Sequence, residues 1–309
     1  MIVSDAVQKI RFSTNTNDDN TGRNINALFS NKNLIAQFQG VLDQYAAFTK
    51  AIEDIFTVPV VAKTRSVDGP TDIIRGEGYR FMEIWLQGRK YPINIKSLNT
   101  TQTEYPTLTT TGVPQYVSVW KDEISFYPSP SSSHASTTVT SEVGTADTTI
   151  NVASTSNFPP QNGRLTIGSE KIKYTSLTST TFVGCTRGIE GTNAGLHDPD
   201  AVVSENNLVV YYRKKPFKIT VDSSDIIFPS DMSKELEIPD EHMNGIIDLT
   251  VYNLLQKIDP ERATPYKIDA AAFLRQAKED IEQGRSAIVR GSFIGQAYDW
   301  ERQNLSVFL

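Results

Sequence analysis

The order of apolar and polar positions divides the chain into helical ends and a long β-type middle. Val3, Ala6, Val7 and Ile10 recur at helical spacing and predict a short helix over roughly Ser4 to Phe12. Asn, Asp, Thr and Gly then cluster from Ser13 to Asn26, the composition of a loop. A longer helix follows. Ser30 or Asn31 can accept hydrogen bonds from its first free N–H groups, and Leu34, Phe38, Val41, Leu42, Tyr45, Phe48, Ile52 and Ile55 make one apolar face. Near the other end, Asp240 can cap a helix in which Met243, Ile246, Ile247, Val251, Leu254, Leu255 and Ile258 are apolar around much of the circumference. The prolines and charges of 259–265 break the chain. A last long helix is expected from about Tyr266 to Arg290 through Ile268, Ala271, Ala272, Leu274, Ala277, Ile281 and Ile288.

Between these ends the pattern is that of strands. Val58 to Ala62 is a short β-type run, and Tyr79 to Leu86 a longer one rich in aromatic and branched residues. A turn at Gln87 to Lys90 would return the chain along Tyr91 to Ile95 as a hairpin. Tyr116 to Trp120 and Glu123 to Tyr127 predict a second hairpin about Lys121-Asp122, and Asn207 to Arg213 reads as a continuation of that sheet. The segment between, 131–206, differs in composition: about a third of it is Ser or Thr. It still carries strand-like runs at Thr148 to Val152, Arg164 to Ile167, Lys171 to Tyr174 and Thr181 to Val183, separated by turn residues. This is the pattern of a small all-β module accepted at a hairpin tip, where few buried contacts are broken. The organisation expected is therefore a core of residues 1–130 and 207–309, with a terminal arm from about 291, interrupted by the inserted β-domain 131–206.

Composition narrows the function. The chain has 309 residues, 39% of them hydrophobic and 21% charged, enough for about two domains with real cores. With Cys185 as the single cysteine, a disulfide scaffold is excluded. The start has no basic n-region before an apolar run, and no stretch reaches the ~18–20 apolar residues of a membrane span, which argues against export and insertion. The net charge of −6 gives no general reason to hold a polyanion.

Motifs for chemistry are absent. His134, His197 and His242 are scattered, outside any metal-ligand spacing, so no metal and no cofactor is expected. Cys185 has no histidine near it in sequence, and no GxSxG elbow exists. The glycines from Gly184 to Gly191 lack the Lys-Ser/Thr pair of a phosphate loop and read as turns; Asp198 and Asp200 read as a polar turn rather than a calcium loop. No catalytic residue is assigned. Arg213, Lys214, Lys215 and Lys218 form the densest positive run, either a solvated strand end or a patch facing a phosphate or an acidic partner. Phe293, Ile294, Tyr298, Trp300, Val307, Phe308 and Leu309 make the C-terminal segment apolar, as a docking arm would be.

The arrangement as a whole resembles the head–tail adaptor (connector) proteins of tailed bacteriophages. The resemblance lies in the order of a helical start, Trp85-Leu86-Gln87-Gly88-Arg89, then Gly112-Val113-Pro114-Gln115-Tyr116 leading to Ile124 to Pro130, then Val209 to Pro216, then Ile238-Pro239-Asp240-Glu241 opening a helix pair. The inserted segment separately resembles a small β-module common in phage virion proteins, through Ile167 to Tyr174, Cys185 to Thr192 and Ala194-Gly195-Leu196-His197. The fold expected is α+β: a helical bundle of N-terminal helices plus two long C-terminal helices, a β-hairpin sheet and the inserted all-β domain.

The resemblance implies a structural virion protein. Copies of this chain would form a cyclic ring, commonly of twelve, below the portal protein, joining the DNA-filled head to the tail and leaving a channel for DNA. Portal docking falls to Tyr298, Trp300, Val307, Phe308 and Leu309, and subunit packing to Met243, Ile247, Val251, Leu254, Leu274 and Ile281. The remaining partners would be tail tube, nozzle or tail-fibre proteins, and passing DNA without sequence-specific binding; no membrane is involved. The place expected is the virion neck, and the host cytoplasm during assembly. Two other classes stand beside it: a tail or baseplate component whose inserted domain binds a receptor glycan or tail fibre, and an enzyme with a dispersed site including Asp198 and Glu190.

Overall fold

The computed structural model describes residues 1–14, 29–74, 81–87, 89–104, 110–256 and 258–291. The chain opens with helices α1 (Val3–Thr14) and α2 (Asn31–Thr49). It continues as β1 (Glu53–Val58), β2 (Ser66–Asp68), β3 (Phe81–Leu86), β4 (Asn94–Ile95), a short helix α3 (Leu98–Glu104), β5 (Thr111–Gly112), β6 (Tyr116–Trp120), β7 (Glu123–Tyr127) and β8 (Ser129–Pro130). Further strands follow: β9 (Ser136–Thr138), β10 (Thr149–Asn151), β11 (Arg164–Ile167), β12 (Glu170–Lys173), β13 (Ser176–Leu177), β14 (Thr181–Val183), β15 (Val202–Glu205) and β16 (Leu208–Arg213). Helices α4 (Pro229–Met232), α5 (Asp240–Leu255) and α6 (Pro260–Gly291) complete it. Helices and several β-sheets thus coexist, an α+β composition. Two compact units result, Met1–Ile52 with Lys214–Leu309, and Glu53–Arg213.

In the first unit α5 is the central element, packed against α1, α2 and α6. That explains its apolar circumference: Met243, Ile246, Ile247, Val251, Leu254 and Leu255 are all buried, each side meeting a different helix. Where α5 meets α6, Gly245 leaves no room for a Cβ beneath the Phe273 ring. Phe273 in turn stacks on Tyr45 of α2, with ring centroids 6.4 Å apart and planes 12° from parallel.

Both ends of α2 are set by hydrogen bonds. Ser30 Oγ accepts from the Asn33 N–H at 3.2 Å, as its residue type leads one to expect. The first two N–H groups of the helix, those of Asn31 and Lys32, are taken by the two carboxylate oxygens of Asp225 at 2.8 and 2.7 Å. A residue distant in sequence therefore completes the cap and sits at the positive end of the helix dipole. Asp225→Ala is expected to cost about 1–2 kcal/mol, read as a lowered urea midpoint at unchanged slope. The helix stops earlier than its apolar period suggests. Lys50 turns left-handed (φ 53°) and donates its N–H to the Ala46 carbonyl, so Ile52 is buried beyond the helix and Ile55 belongs to β1. α6 starts earlier than expected, at Pro260, where Asp259 accepts from the Arg262 N–H at 3.1 Å and Pro260 has no N–H to satisfy. Pro265 lies inside the helix. Asp240 is the first residue of α5 and makes no cap bond of the expected kind.

The second unit holds two hydrophobic clusters. One lies among the strands β1-β16-β3 and β2-β7-β6-β4, around Ile84, Val117, Ile124, Phe126, Leu208 and Val210. The β6–β7 hairpin has the expected register, Tyr116 opposite Tyr127 and Trp120 opposite Glu123, with Lys121 at φ 56° in the turn. Two expectations fail here. β4 does not pair back on β3 but runs parallel to β6, and β16 does not extend the β6–β7 sheet but lies antiparallel between β1 and β3. Alternating sequence shows that a strand has one buried face; it does not say which strand lies alongside.

The other cluster lies within 131–206, between the sheets β12-β11-β15-β9 and β10-β14-β13: Val139, Ile150, Leu165, Ile167, Ile172, Tyr174, Phe182 and Val203 are among its buried members. The four strand-like runs read from its sequence correspond to β10, β11, β12 and β14. Tyr174 and Phe182 meet at 4.7 Å and give a short-stranded module a dense aromatic centre.

Candidate functional site

The residues that make the inserted segment recognisable are bonded to one another. The β11–β12 turn at Gly168-Ser169 places Glu170 at the first position of β12, with its side chain inward and only 2% exposed. Arg187 meets it side-on: Nε donates to Oε1 and Nη2 to Oε2, both at 2.7 Å. The N–H groups of Gly188 and Gly195 donate to the same carboxylate at 3.1 and 3.0 Å, and His197 Nε2 lies 2.7 Å from Oε2. Burial by itself would push this carboxyl up. The Arg187 guanidinium, the Gly195 N–H and His197 outweigh it and bring the carboxyl down to about 2. Arg187 also reaches the carbonyls of Gly195 and Gly144, so four stretches of chain, at 144, 170, 187–188 and 195–197, meet at one ion pair.

A second carboxylate, Glu190, accepts from Arg164 Nη1 at 2.6 Å and from Lys171 Nζ at 2.8 Å. Its other bonds go to β1: the N–H and the hydroxyl of Thr57, each at 2.8 Å. Gly184, Gly188 and Gly191 all have positive φ, which supports their reading as turn glycines. Cys185 is buried, burial pushes its thiol up to about 11, and its Sγ faces the Phe182 carbonyl. A thiol so placed is a poor nucleophile. Tyr45 Oη and His242 Nδ1 are 2.6 Å apart inside the first unit, and burial pushes the Tyr45 phenol up to about 12. Among the described residues, no group of three or more His, Cys, Asp or Glu side chains is placed to hold a metal ion. No helix among them is long and apolar enough to cross a membrane.

The residues expected to meet other proteins fare differently from one another. Met243 and Val251 are fully buried, and Ile247 and Leu254 nearly so, inside a single chain. They have almost no surface left for a neighbour, because α1, α2 and α6 already cover α5; this corrects their assignment to subunit packing. Leu274 and Ile281 on α6 remain half-buried. The large apolar side chains left exposed in this unit are others, among them Phe12 at 75%, with Phe48 and Ile258. In the basic run, Lys214 pairs with Glu237 at 2.8 Å, Lys215 and Lys218 are exposed, and Arg213 ends β16 in register with Glu53. Tyr298, Trp300, Val307, Phe308 and Leu309 lie outside the described residues.

Sequence reading passed over Glu170, Asp225 and Gly245. Glu170 lies inside the segment that carried the resemblance, and a glycine in the middle of an apolar helix is itself a sign of close packing. Asp225 had no signal, since capping from a distant loop leaves no local pattern.

A family model described as SU10 adaptor protein matches residues 1–292. No curated protein matches the chain significantly. The family match takes in both compact units, α1 through α6. The chain belongs to the SU10 adaptor protein family, and with that it is a bacteriophage structural adaptor and a component of the virion.

Proposed function

We propose that this adaptor forms a cyclic ring, of twelve copies by resemblance, below the portal, and joins the DNA-filled head to the tail at the virion neck. The observation that carries the reading is the adaptor family match over residues 1–292. The helices of the first unit act as a bundle that packs side by side around the ring, and residues 131–206 as a domain inserted in the adaptor core. Lateral contact falls to apolar side chains that the chain leaves uncovered, Phe12, Phe48 and Ile258, together with Leu274 and Ile281. Such a contact is heterologous, one face of a subunit meeting a different face of the next, and closes into a ring.

The segment from about 291 docks on the portal through Tyr298, Trp300, Val307, Phe308 and Leu309, while tube, nozzle or fibre proteins bind on the tail side. The net charge of −6 suits a channel that DNA passes without being held, since like charges repel and no basic excess exists to release counterions. The role is mechanical, with no reaction catalysed. Assembly takes place in the host cytoplasm.

Native mass measurement of the purified chain, alone and mixed with portal, tests the reading. The expected result is a single multimeric ring on portal; a chain that stays monomeric in both samples overturns it. Removing Gly291 to Leu309 is expected to abolish portal binding with the helical unit still folded. Full binding by the truncated chain would sink the docking assignment.

A further inference from the structure

β1 is the outermost strand of the β1-β16-β3 sheet, and an outermost strand presents unpaired N–H groups on which another chain can add a strand. In an antiparallel ladder alternate residues point their N–H groups outward, and here these are Ile55 and Thr57 in the middle of the strand. Both are already occupied by carboxylates. The Ile55 N–H donates to Asp54 Oδ1 at 2.8 Å, and the Thr57 N–H to Glu190 Oε2 at 2.8 Å.

Glu190 comes from the 131–206 segment and is held there at a conformational cost. Its φ is 54°, left-handed, between Gly188 at 63° and Gly191 at 75°. Glycine would adopt that backbone freely, and a residue with a Cβ does not. A strained position that keeps a long acidic side chain, 6% exposed and fully bonded, is held for what the side chain does. Its two cationic partners serve the same seam. Arg164 and Lys171 neutralise the carboxylate, and the Lys171 ammonium lies 4.1 Å from the centre of the Phe56 ring on β1. Asn206 adds a further tie, donating to Thr57 Oγ1 at 3.0 Å while accepting from the Thr166 hydroxyl at 2.8 Å. Asn207 accepts from the Val60 N–H at 2.8 Å just beyond the strand.

We propose that the 131–206 module is a cap on the free edge of β1, bolted by Glu190, and that it keeps a second copy of this chain from adding a strand there. The module is thus fixed to the sheet it interrupts. This role is independent of ring formation, which uses apolar helix surface, and it is lost separately.

The test uses the full-length chain carrying Glu190→Gly, which relaxes the left-handed backbone while removing the bolt. Exchange of the Thr57 amide is expected to rise about tenfold or more, the effect of losing a hydrogen bond to a charged acceptor. The Ile150 and Phe182 amides, inside the module, keep their wild-type rates. The variant is expected to self-associate on incubation beyond the wild-type state, and a second change, Ile55→Pro, to suppress this by blocking the edge at an outward N–H where proline costs no ladder bond. Unchanged Thr57 exchange overturns the bolt. Association that is absent, or indifferent to Ile55→Pro, overturns the cap. Should Glu190→Gly unfold the module, Glu190→Asn, which tolerates the left-handed backbone and is one methylene shorter, is read by the same three measurements with the same outcomes.

Discussion

Glu170→Ala is expected to unfold the 131–206 segment within the full chain and to leave the helical unit folded. The carboxylate is the common acceptor for Arg187, His197 and two backbone N–H groups, and Arg187 is itself only 7% exposed. Removing one member of a buried ion pair leaves the other charge without compensation, a loss of about 3–5 kcal/mol, which for a short-stranded module is most of its stability. Exchange of the Ile150 and Phe182 amides checks the result: global loss of protection at both is expected, and wild-type protection would mean that the apolar core alone holds the module.

The same carboxylate sets the response to acid. Its folded pKa, about 2, lies below its ordinary value of 4.5, so its contribution is present in full above that ordinary value and is lost as the pH falls towards 2. Glu205 acts in the opposite sense. It is buried beside the Ala135 N–H, and burial pushes its carboxyl up, so its contribution is present at low pH and is lost as the pH rises through the raised value. Glu205→Gln is therefore expected to raise the stability of the module near neutral pH, whereas Glu170→Gln lowers it and flattens its loss between about pH 5 and 2. Thermal midpoints at pH 7 and pH 3 separate the two.

Gly245→Val is expected to be the most damaging single change in the helical unit. A Cβ at this position would overlap the Phe273 ring, which cannot turn away because Tyr45 stacks on it and His242 meets it edge-on at 5.8 Å. Forcing extra carbons into a filled contact costs about 3 kcal/mol at the upper end of the usual range, and valine recovers little in helix propensity over glycine. The midpoint should fall by about 6–12 °C. Phe273→Ala in the same chain relieves the overlap, so the double variant should melt above Gly245→Val alone. Equal melting of wild type and Gly245→Val would show that α6 moves aside freely.

What was legible in the sequence was local. The periods of α1, α2 and α5, the β6–β7 hairpin and four strands of the 131–206 segment followed from the spacing of apolar residues, because each element buries one face of its own repeat. Errors came where the period ran on past a backbone event. Ile52 and Ile55 continue the apolar pattern of α2, but Lys50 turns left-handed after Thr49 and the chain leaves the helix there. The partner of each strand is less legible still: sequence order points β16 to the β6–β7 sheet while it lies between β1 and β3, because alternation is the same beside any neighbour.

The candidate surfaces divide in the same way. Periodicity marked Met243 and Val251 as covered on several sides, which is correct, but it could not distinguish cover by the same chain from cover by a neighbour. By itself the sequence determined which residues seek burial, where the composition shifts at 131, and that motifs for metal or nucleophile chemistry are missing. The tertiary structure alone decided that Glu170 and Glu190 meet their cations, that Asp225 caps a helix far from it in sequence, and that a glycine admits Phe273. Burial is driven by each residue's own hydration and leaves a local record. Ion pairs, caps and close approaches depend on what the fold brings alongside, and the Asp225 cap joins residues 194 positions apart along the chain.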